Sequence, residues 1–97
     1  MTVEILDKAE DDLVHGFQFY ETQQAGLGSY FLESLFADME SLPVHGGVHR
    51  LVYRNYHRAL AKRFPFAIFY TVSRDTVFVH AVVDYRRKPA WITKHLK

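Results

Sequence analysis

The segment FAIFYTVSRDTVFVHAVV, residues 66–83, decides the fold of this 97-residue chain. Two runs rich in aromatic and β-branched residues, 66–72 and 76–83, lie on either side of the polar sequence SRDT. Such runs separated by a short polar turn are typical of a β-hairpin. We therefore predict two adjacent antiparallel strands here.

Strict alternation along the second run assigns its residues to two faces of a sheet. One face carries small aliphatic side chains, which suit packing beneath helices: Val77, Val79, Ala81 and Val83. The other face is mixed in polarity and leads to a run of cations: Phe78, His80, Val82, Asp84 and Arg86. We expect helices to cover the first face and the second face to be open.

Outside this hairpin the chain has two further runs that predict strands. HRALAKR, residues 57–63, precedes the hairpin, and a Phe-Pro pair supplies the turn between them. TVEIL, residues 2–6, alternates in polarity and predicts a short first strand. Residues 43–56 contain a Gly-Gly pair and no clear period, which predicts a loop with a brief strand near Arg50 to Tyr53.

Helical periodicity occupies the space between the first strand and that loop. Apolar residues recur every three or four positions and predict one helix over about 8–24 and another from Leu27 until Pro43. Asp7 and Glu10 have the spacing of a capping box at the first helix start. We expect these helices to place four aromatic rings in the core: Phe17, Tyr20, Phe31 and Phe36.

Composition narrows the class of protein. The length fits a single domain spanning residues 1–97, and 48% hydrophobic residues are enough for its core. The absence of cysteine excludes disulfides, thiolate metal sites and cysteine nucleophiles. Because the chain has neither a signal-peptide pattern nor an apolar run of about 20 residues, we expect a cytoplasmic protein without membrane association.

The net charge of +1 conceals a strong asymmetry between the two halves. Residues 1–49 contain one lysine and nine acidic residues, a net charge of −8, whereas residues 50–97 contain eleven cations and two acids, a net charge of +9. A split of this size indicates a basic functional surface for a polyanion or an acidic protein. The alternative is an ordinary solvated surface, with the cations paired to Asp84 or to the acidic helices.

The order of the elements, the GLGSYF turn, HRALAKRFPFAIFYTV and the ending VFVHAVVDYRRKPAW together resemble the RelE/ParE superfamily of toxins from bacterial type II toxin–antitoxin pairs. Over nearly the whole chain, the similarity is strongest to the ParE-like plasmid-stabilisation branch. It implies an α+β fold with a strand, a helix hairpin and a three-stranded antiparallel meander. The hairpin would pack on one face of the sheet, a short C-terminal helix would follow, and a cognate antitoxin would be the partner.

The superfamily offers two functions. RelE-like toxins cleave messenger RNA on the ribosome without a metal, which requires proton transfer and cations at the phosphate. The resemblance assigns those roles to Lys62 or Arg63 and to Arg86. At the place of the usual catalytic tyrosine the chain has Trp91, which cannot exchange a proton, so His80 is the remaining acid or base candidate.

ParE-like toxins instead inhibit DNA gyrase by binding, which requires only a surface. The candidate surface is a basic rim, which we define as Arg63, Arg86, Arg87 and Lys88, with Trp91 as an apolar anchor. Because a complete catalytic set is missing, the sequence favours gyrase inhibition over RNA cleavage. A non-toxic module that binds only an antitoxin is the third hypothesis.

Several of these residues also have purely structural interpretations. His80 could be a half-buried, hydrogen-bonded histidine, and Trp91 could fold back onto the sheet. His45 and His49 lack an acidic third ligand, so we predict no metal site. No phosphate-binding glycine loop follows a strand, so we also predict no cofactor and no small-molecule substrate.

Overall fold

The computed structural model describes residues 1–45 and 51–97. Its order of helices and strands follows the prediction, with boundaries within a few residues. The strands are β1 (Thr2–Ile5), β2 (Leu51–Tyr53), β3 (Tyr56–Leu60), β4 (Phe66–Ser73) and β5 (Thr76–Asp84). The helices are α1 (Asp7–Gln23), α2 (Leu27–Glu40), α3 (Leu42–His45) and α4 (Pro89–Leu96). The α+β class is therefore confirmed. Arg50 and His49, named above, lie outside the described residues.

Two details of the helices differ from the prediction. Leu6 holds the N-cap position of α1 and no side chain caps it, so the proposed capping box of Asp7 and Glu10 does not form. The second helix ends at Glu40, before Pro43, because the chain turns at Ser41 and restarts as the short α3.

The five strands form one mixed sheet in the order β1-β5-β4-β3-β2. Neighbours from β2 to β5 run antiparallel, as expected for a meander. The first strand pairs parallel to β5, with Thr2 opposite Thr76 and Ile5 opposite Val79. The α1–α2 hairpin thus serves as the crossover between two neighbouring parallel strands.

The predicted face assignment of β5 is wrong beyond Val79, because the strand contains a β-bulge. Phe69 pairs with Ala81 and Tyr70 pairs with Val79, so His80 is an extra residue in the ladder. An extra residue reverses the faces of all that follow. Ala81 and Val83 therefore leave the hairpin face, whereas Val82 joins it.

Both faces of the sheet consequently carry apolar cores. The larger core lies under the α1–α2 hairpin and includes Leu13, Phe31, Leu35, Ile68, Tyr70, Val77, Val79 and Val82. The smaller core lies on the opposite face, where Leu96 and Ile92 of α4 cover Ala67, Phe69, Ala81 and Val83. The face predicted to be open is thus partly covered by the C-terminal helix.

Phe36 was predicted to be core and is not. Its ring is 40% exposed, whereas Phe31 on the apolar stripe of the same helix is fully buried. Phe36 directly follows Leu35 of that stripe, so the helix turns it away from the sheet. Tyr20 and Phe31 lie in the larger core as predicted, and Phe17 is half-buried.

Candidate target-binding surface

A groove of about 720 Å³ lies between α1 and α4, where β5 has an uncovered edge. The last backbone bond joining the β1 segment to β5 runs from Leu6 N–H to the Val79 carbonyl. On this edge of β5, opposite β4, no strand in the described part of the chain pairs with β5 past that point. The groove lining combines apolar side chains with charged ones: Gly16, Phe19, Phe66, Val82, Val83, Arg86, Arg87, Trp91, Asp12 and His95.

Asp12 closes the bottom of this groove. Its Oδ2 accepts a hydrogen bond of 2.9 Å from the buried Val82 N–H, and its Oδ1 lies 2.9 Å from His95 Nε2. The Asp12 side chain is only 10% exposed. Burial raises the pKa of Asp12 even though the bonds from Val82 and His95 act in the opposite direction. One carboxylate thus joins α1, the free edge of β5 and α4.

Trp91 forms the outer wall of the groove rather than part of a core. Its ring stacks on His95 with centroids 4.8 Å apart and planes inclined by 11°. The Arg87 guanidinium also lies over the Trp91 ring, 4.1 Å from its centroid. The indole is 40% exposed. Since His95 contacts Asp12, these contacts form a continuous stack that fixes Arg87 at the mouth of the groove.

Arg86 is held by an acid of the same turn. Its Nε and one terminal nitrogen lie 2.9 and 2.6 Å from the two carboxylate oxygens of Asp84. The Arg86 backbone N–H also donates to Asp84 at 2.9 Å. These hydrogen bonds hold the pKa of Asp84 below its usual range, so the carboxylate stays ionised at neutral pH.

The turn between β3 and β4 places Arg63 at the same end of the sheet. The Tyr85 N–H donates to the Pro65 carbonyl at 3.1 Å, which ties this turn to the β5–α4 turn. Arg63 is exposed, and so is Lys88 just before α4. The fold therefore brings all four cations of the basic rim to one end of the sheet, and two of them, Arg86 and Arg87, line the groove.

The predicted catalytic residues are not assembled in the same way. His80 lies in the bulge with its Nε2 2.8 Å from Thr71 Oγ1, and it lines a separate cavity of about 230 Å³. Asp84 lies four residues further along the strand, or about 13 Å away at the usual rise. Lys62 lines a third, small cavity, where its backbone N–H donates to Asp38. His80, Lys62 and Arg86 thus line three different cavities.

His80 also has the surroundings of a structural histidine. Its ring meets the Tyr56 ring edge to face at 5.0 Å, and the Tyr56 hydroxyl donates to the Leu96 carbonyl. Burial lowers the pKa of His80, which favours the neutral ring at pH 7.

Sequence reasoning missed Asp12 and His95. Asp12 is one of several acids in α1, and 83 positions separate it from His95, so no local pattern links them. A clue could have been that Trp91 and His95 share one face of a helix at a spacing of four residues.

A second apolar surface lies on the outside of the hairpin. A groove of about 500 Å³ runs between α1 and α2 and is lined by Ile5, Leu13, Val14, Phe17, Leu32 and Phe36. Val14 and Phe36 are 52% and 40% exposed. Exposed apolar grooves of this kind commonly bind protein segments.

Among known structures, the chain is similar to a chain of the chromosomal ParDE TA system from P. aeruginosa. The TM-score is 0.74 at 16% sequence identity, and the match covers 87% of this chain and 95% of that one. The two chains share a fold. No family model and no curated protein matches the sequence.

The ParDE-like fold was therefore recognisable from the order of elements, although the shared identity is low. Within residues 1–45 and 51–97, no three acidic or histidine side chains are grouped so that they could hold a metal ion. No helix in those residues is both long and apolar enough to span a membrane.

Proposed function

We propose that this protein is the toxin of a type II toxin–antitoxin module and that it arrests growth by binding DNA gyrase through the basic rim and the groove beside it. One observation carries the proposal. Arg86 and Arg87 of the rim line one groove together with Trp91, whereas the candidate catalytic residues His80 and Lys62 line two separate cavities. Binding needs such a surface, while RNA cleavage needs an acid, a base and a phosphate clamp within reach of one phosphate. The similarity to a ParDE TA system supports a toxin of this type.

The contacts of Arg86 also favour binding over cleavage. A phosphate clamp needs a guanidinium whose two parallel N–H groups can reach the transition state. In this chain the Nε and one terminal nitrogen, which form one such pair on Arg86, already bind the Asp84 carboxylate. For a protein target, Arg86 held in this way and Arg87 against the exposed Trp91 indole are suitable anchors, because arginine and tryptophan are enriched among residues that dominate binding energy.

A cognate antitoxin would act in the same compartment, the cytoplasm, by covering this surface. We expect its toxin-binding segment to combine acidic residues, which complement the basic rim, with apolar residues for the grooves. The affinity should then fall as salt rises, because part of it comes from exposed charges. An affinity independent of ionic strength would contradict this account of the antitoxin.

The test is expression of the chain alone in bacterial cells, together with a supercoiling assay using purified protein and gyrase. We expect growth arrest and dose-dependent loss of supercoiling. The double variant Arg86→Ala/Arg87→Ala should lose both effects. The matched control is Arg54→Asn/Arg74→Asn, which removes the same charge from two turns outside the rim. Asparagine is chosen because both positions have positive φ angles, 52° and 55°, which it tolerates.

The same cells distinguish the alternatives. New 5′ ends inside translated codons, absent from an Arg86→Ala control, would overturn the proposal in favour of a ribosome-dependent RNase and would make His80 and Lys62 catalytic candidates. Normal growth with retained antitoxin binding would instead identify a non-toxic binding module.

A further inference from the structure

Asp84 is placed so that it competes with any ligand of Arg86. Its carboxylate accepts three N–H groups of that residue, two from the guanidinium and one from the backbone. The two guanidinium bonds use the edge formed by Nε and one terminal nitrogen, one of the edges through which arginine binds a phosphate with two parallel N–H groups. The Asp84 side chain is 24% exposed and that of Arg86 is 63% exposed, so the pair lies at the surface.

The cations around Asp84 keep its carboxylate ionised at physiological pH, so that it stays bound to Arg86. Arg86, chiefly through hydrogen bonds, and then Arg87, through its charge, lower the pKa of Asp84. A phosphate that approached Arg86 would therefore meet an ionised carboxylate already bound to the same guanidinium. The neighbouring Arg87 is stacked on Trp91, which directs it along the groove wall.

We propose that Asp84 is a specificity-determining residue that withholds Arg86 from nucleic-acid phosphates. Basic surfaces bind nucleic acids of any sequence through counterion release, and a toxin with a basic rim would lose much of its free concentration to them. The Asp84–Arg86 pair keeps the position of the guanidinium but cancels its net charge. Specificity arises here by weakening the wrong complex. This role of Asp84 rests on the proposed function only in that the target is a protein, and it is the same for any protein target.

The experiment measures binding of a fluorescently labelled single-stranded DNA of 20 thymidines by anisotropy, at several KCl concentrations, with the full chain. Asp84→Asn should bind more tightly and with a steeper salt dependence than the wild type. One additional phosphate contact on single-stranded DNA steepens the slope of log K against log salt by about 0.7, which corresponds to about fivefold tighter binding at 0.1 M salt.

The matched control is Asp75→Asn, which removes the other carboxylate of the basic half. Asp75 is exposed in the turn between β4 and β5, at the opposite end of the sheet, so it changes net charge equally without releasing Arg86. We expect it to leave the salt slope unchanged. Equal slopes for the two asparagine variants would overturn the proposal.

Arg86→Ala supplies the decisive background. When Arg86 is replaced by alanine, Asp84→Asn should no longer steepen the salt slope, because no guanidinium remains that the substitution could release for a phosphate. If Asp84→Asn still steepened the salt slope in the Arg86→Ala background, the proposal would be refuted. It would also be refuted if Arg86→Ala alone made the wild-type slope shallower by about 0.7, because the guanidinium would then already contact a phosphate in the wild type. Asp84→Ala is the second variant, and thermal unfolding of each variant verifies that the fold is retained.

Discussion

Replacement of Asp12 by alanine tests whether one carboxylate holds the C-terminal helix and the free edge of β5. The substitution leaves the buried Val82 N–H without an acceptor, which costs about 1–3 kcal/mol. It also removes the hydrogen bond between Asp12 and His95, whose side chain is 21% exposed, and a partly exposed contact of this kind contributes about 1 kcal/mol at most. Because burial raises the pKa of Asp12, its removal relieves part of the cost of a buried charge. We therefore expect the free energy of unfolding to fall by about 2 kcal/mol, which is less than the largest sum of the two costs.

Two further variants separate these contributions. Asp12→Asn keeps an oxygen that can accept from Val82, weakens the contact with His95 and avoids the buried charge, so its cost should stay within about 1 kcal/mol. Asp11→Ala is the matched control, since Asp11 is the exposed neighbour on the same helix. The gain in helix propensity from aspartate to alanine is the same at both positions and cancels in the comparison.

The assay is urea unfolding at pH 7, followed by far-UV circular dichroism for the whole chain and by fluorescence of Trp91 for the packing of α4. A loss of about 2 kcal/mol corresponds to a decrease in Tm of roughly 10 °C for a domain of this size. If Asp12→Ala were as stable as Asp11→Ala within about 0.5 kcal/mol, the Val82–Asp12 bond would not contribute as argued.

Three other predictions concern the fold and its pH dependence. Gly28→Ala places a Cβ 2.7 Å from the Phe17 carbonyl oxygen, so it should cost about 1–3 kcal/mol by urea unfolding despite a better helix propensity. The wild type should lose stability as pH falls from about 7, because burial lowers the pKa of His80 and the unfolded state therefore binds a proton there more readily than the folded state. His80→Gln can still contact Thr71 and should remove this part of the pH dependence. Leu96→Ala removes one large side chain from the smaller core, so it should cost about 2 kcal/mol of stability and lower the Tm. An unchanged Tm would show that α4 contributes little packing energy.

Local patterns predicted the kind and order of the elements well. Helical periodicity located α1 and α2, and the β-branched runs located β3, β4 and β5, because each element buries a face with its own period. The basic rim was also visible, since three of its four cations, Arg86, Arg87 and Lys88, are consecutive in the chain. The fourth, Arg63, follows from the antiparallel pairing that places Phe66 opposite Asp84.

The assignment of faces failed at His80 for a physical reason. Both faces of β5 are apolar here, because α1 and α2 cover one and α4 covers the other. A shift of one residue therefore exchanges Ala81 and Val83 with Val82 without placing a polar side chain in either core. The alternating pattern of the sequence does not reveal such a shift when neither face of the strand is exposed to water.

The sequence by itself determined the helices, the meander, the charge asymmetry and most of the basic rim, because these depend on neighbours within a few positions. Only the tertiary structure decided the parallel pairing of β1 with β5, the bulge at His80, and the contact of Asp12 with both Val82 and His95. The parallel pairing and the Asp12 contacts join residues 70 to 83 positions apart, and their energies exist only once the chain is packed. The bulge depends on the register between β4 and β5 and on the cores that cover both faces. The placement of His80 and Arg86 in different cavities, on which the proposed function depends, is a consequence of that packing.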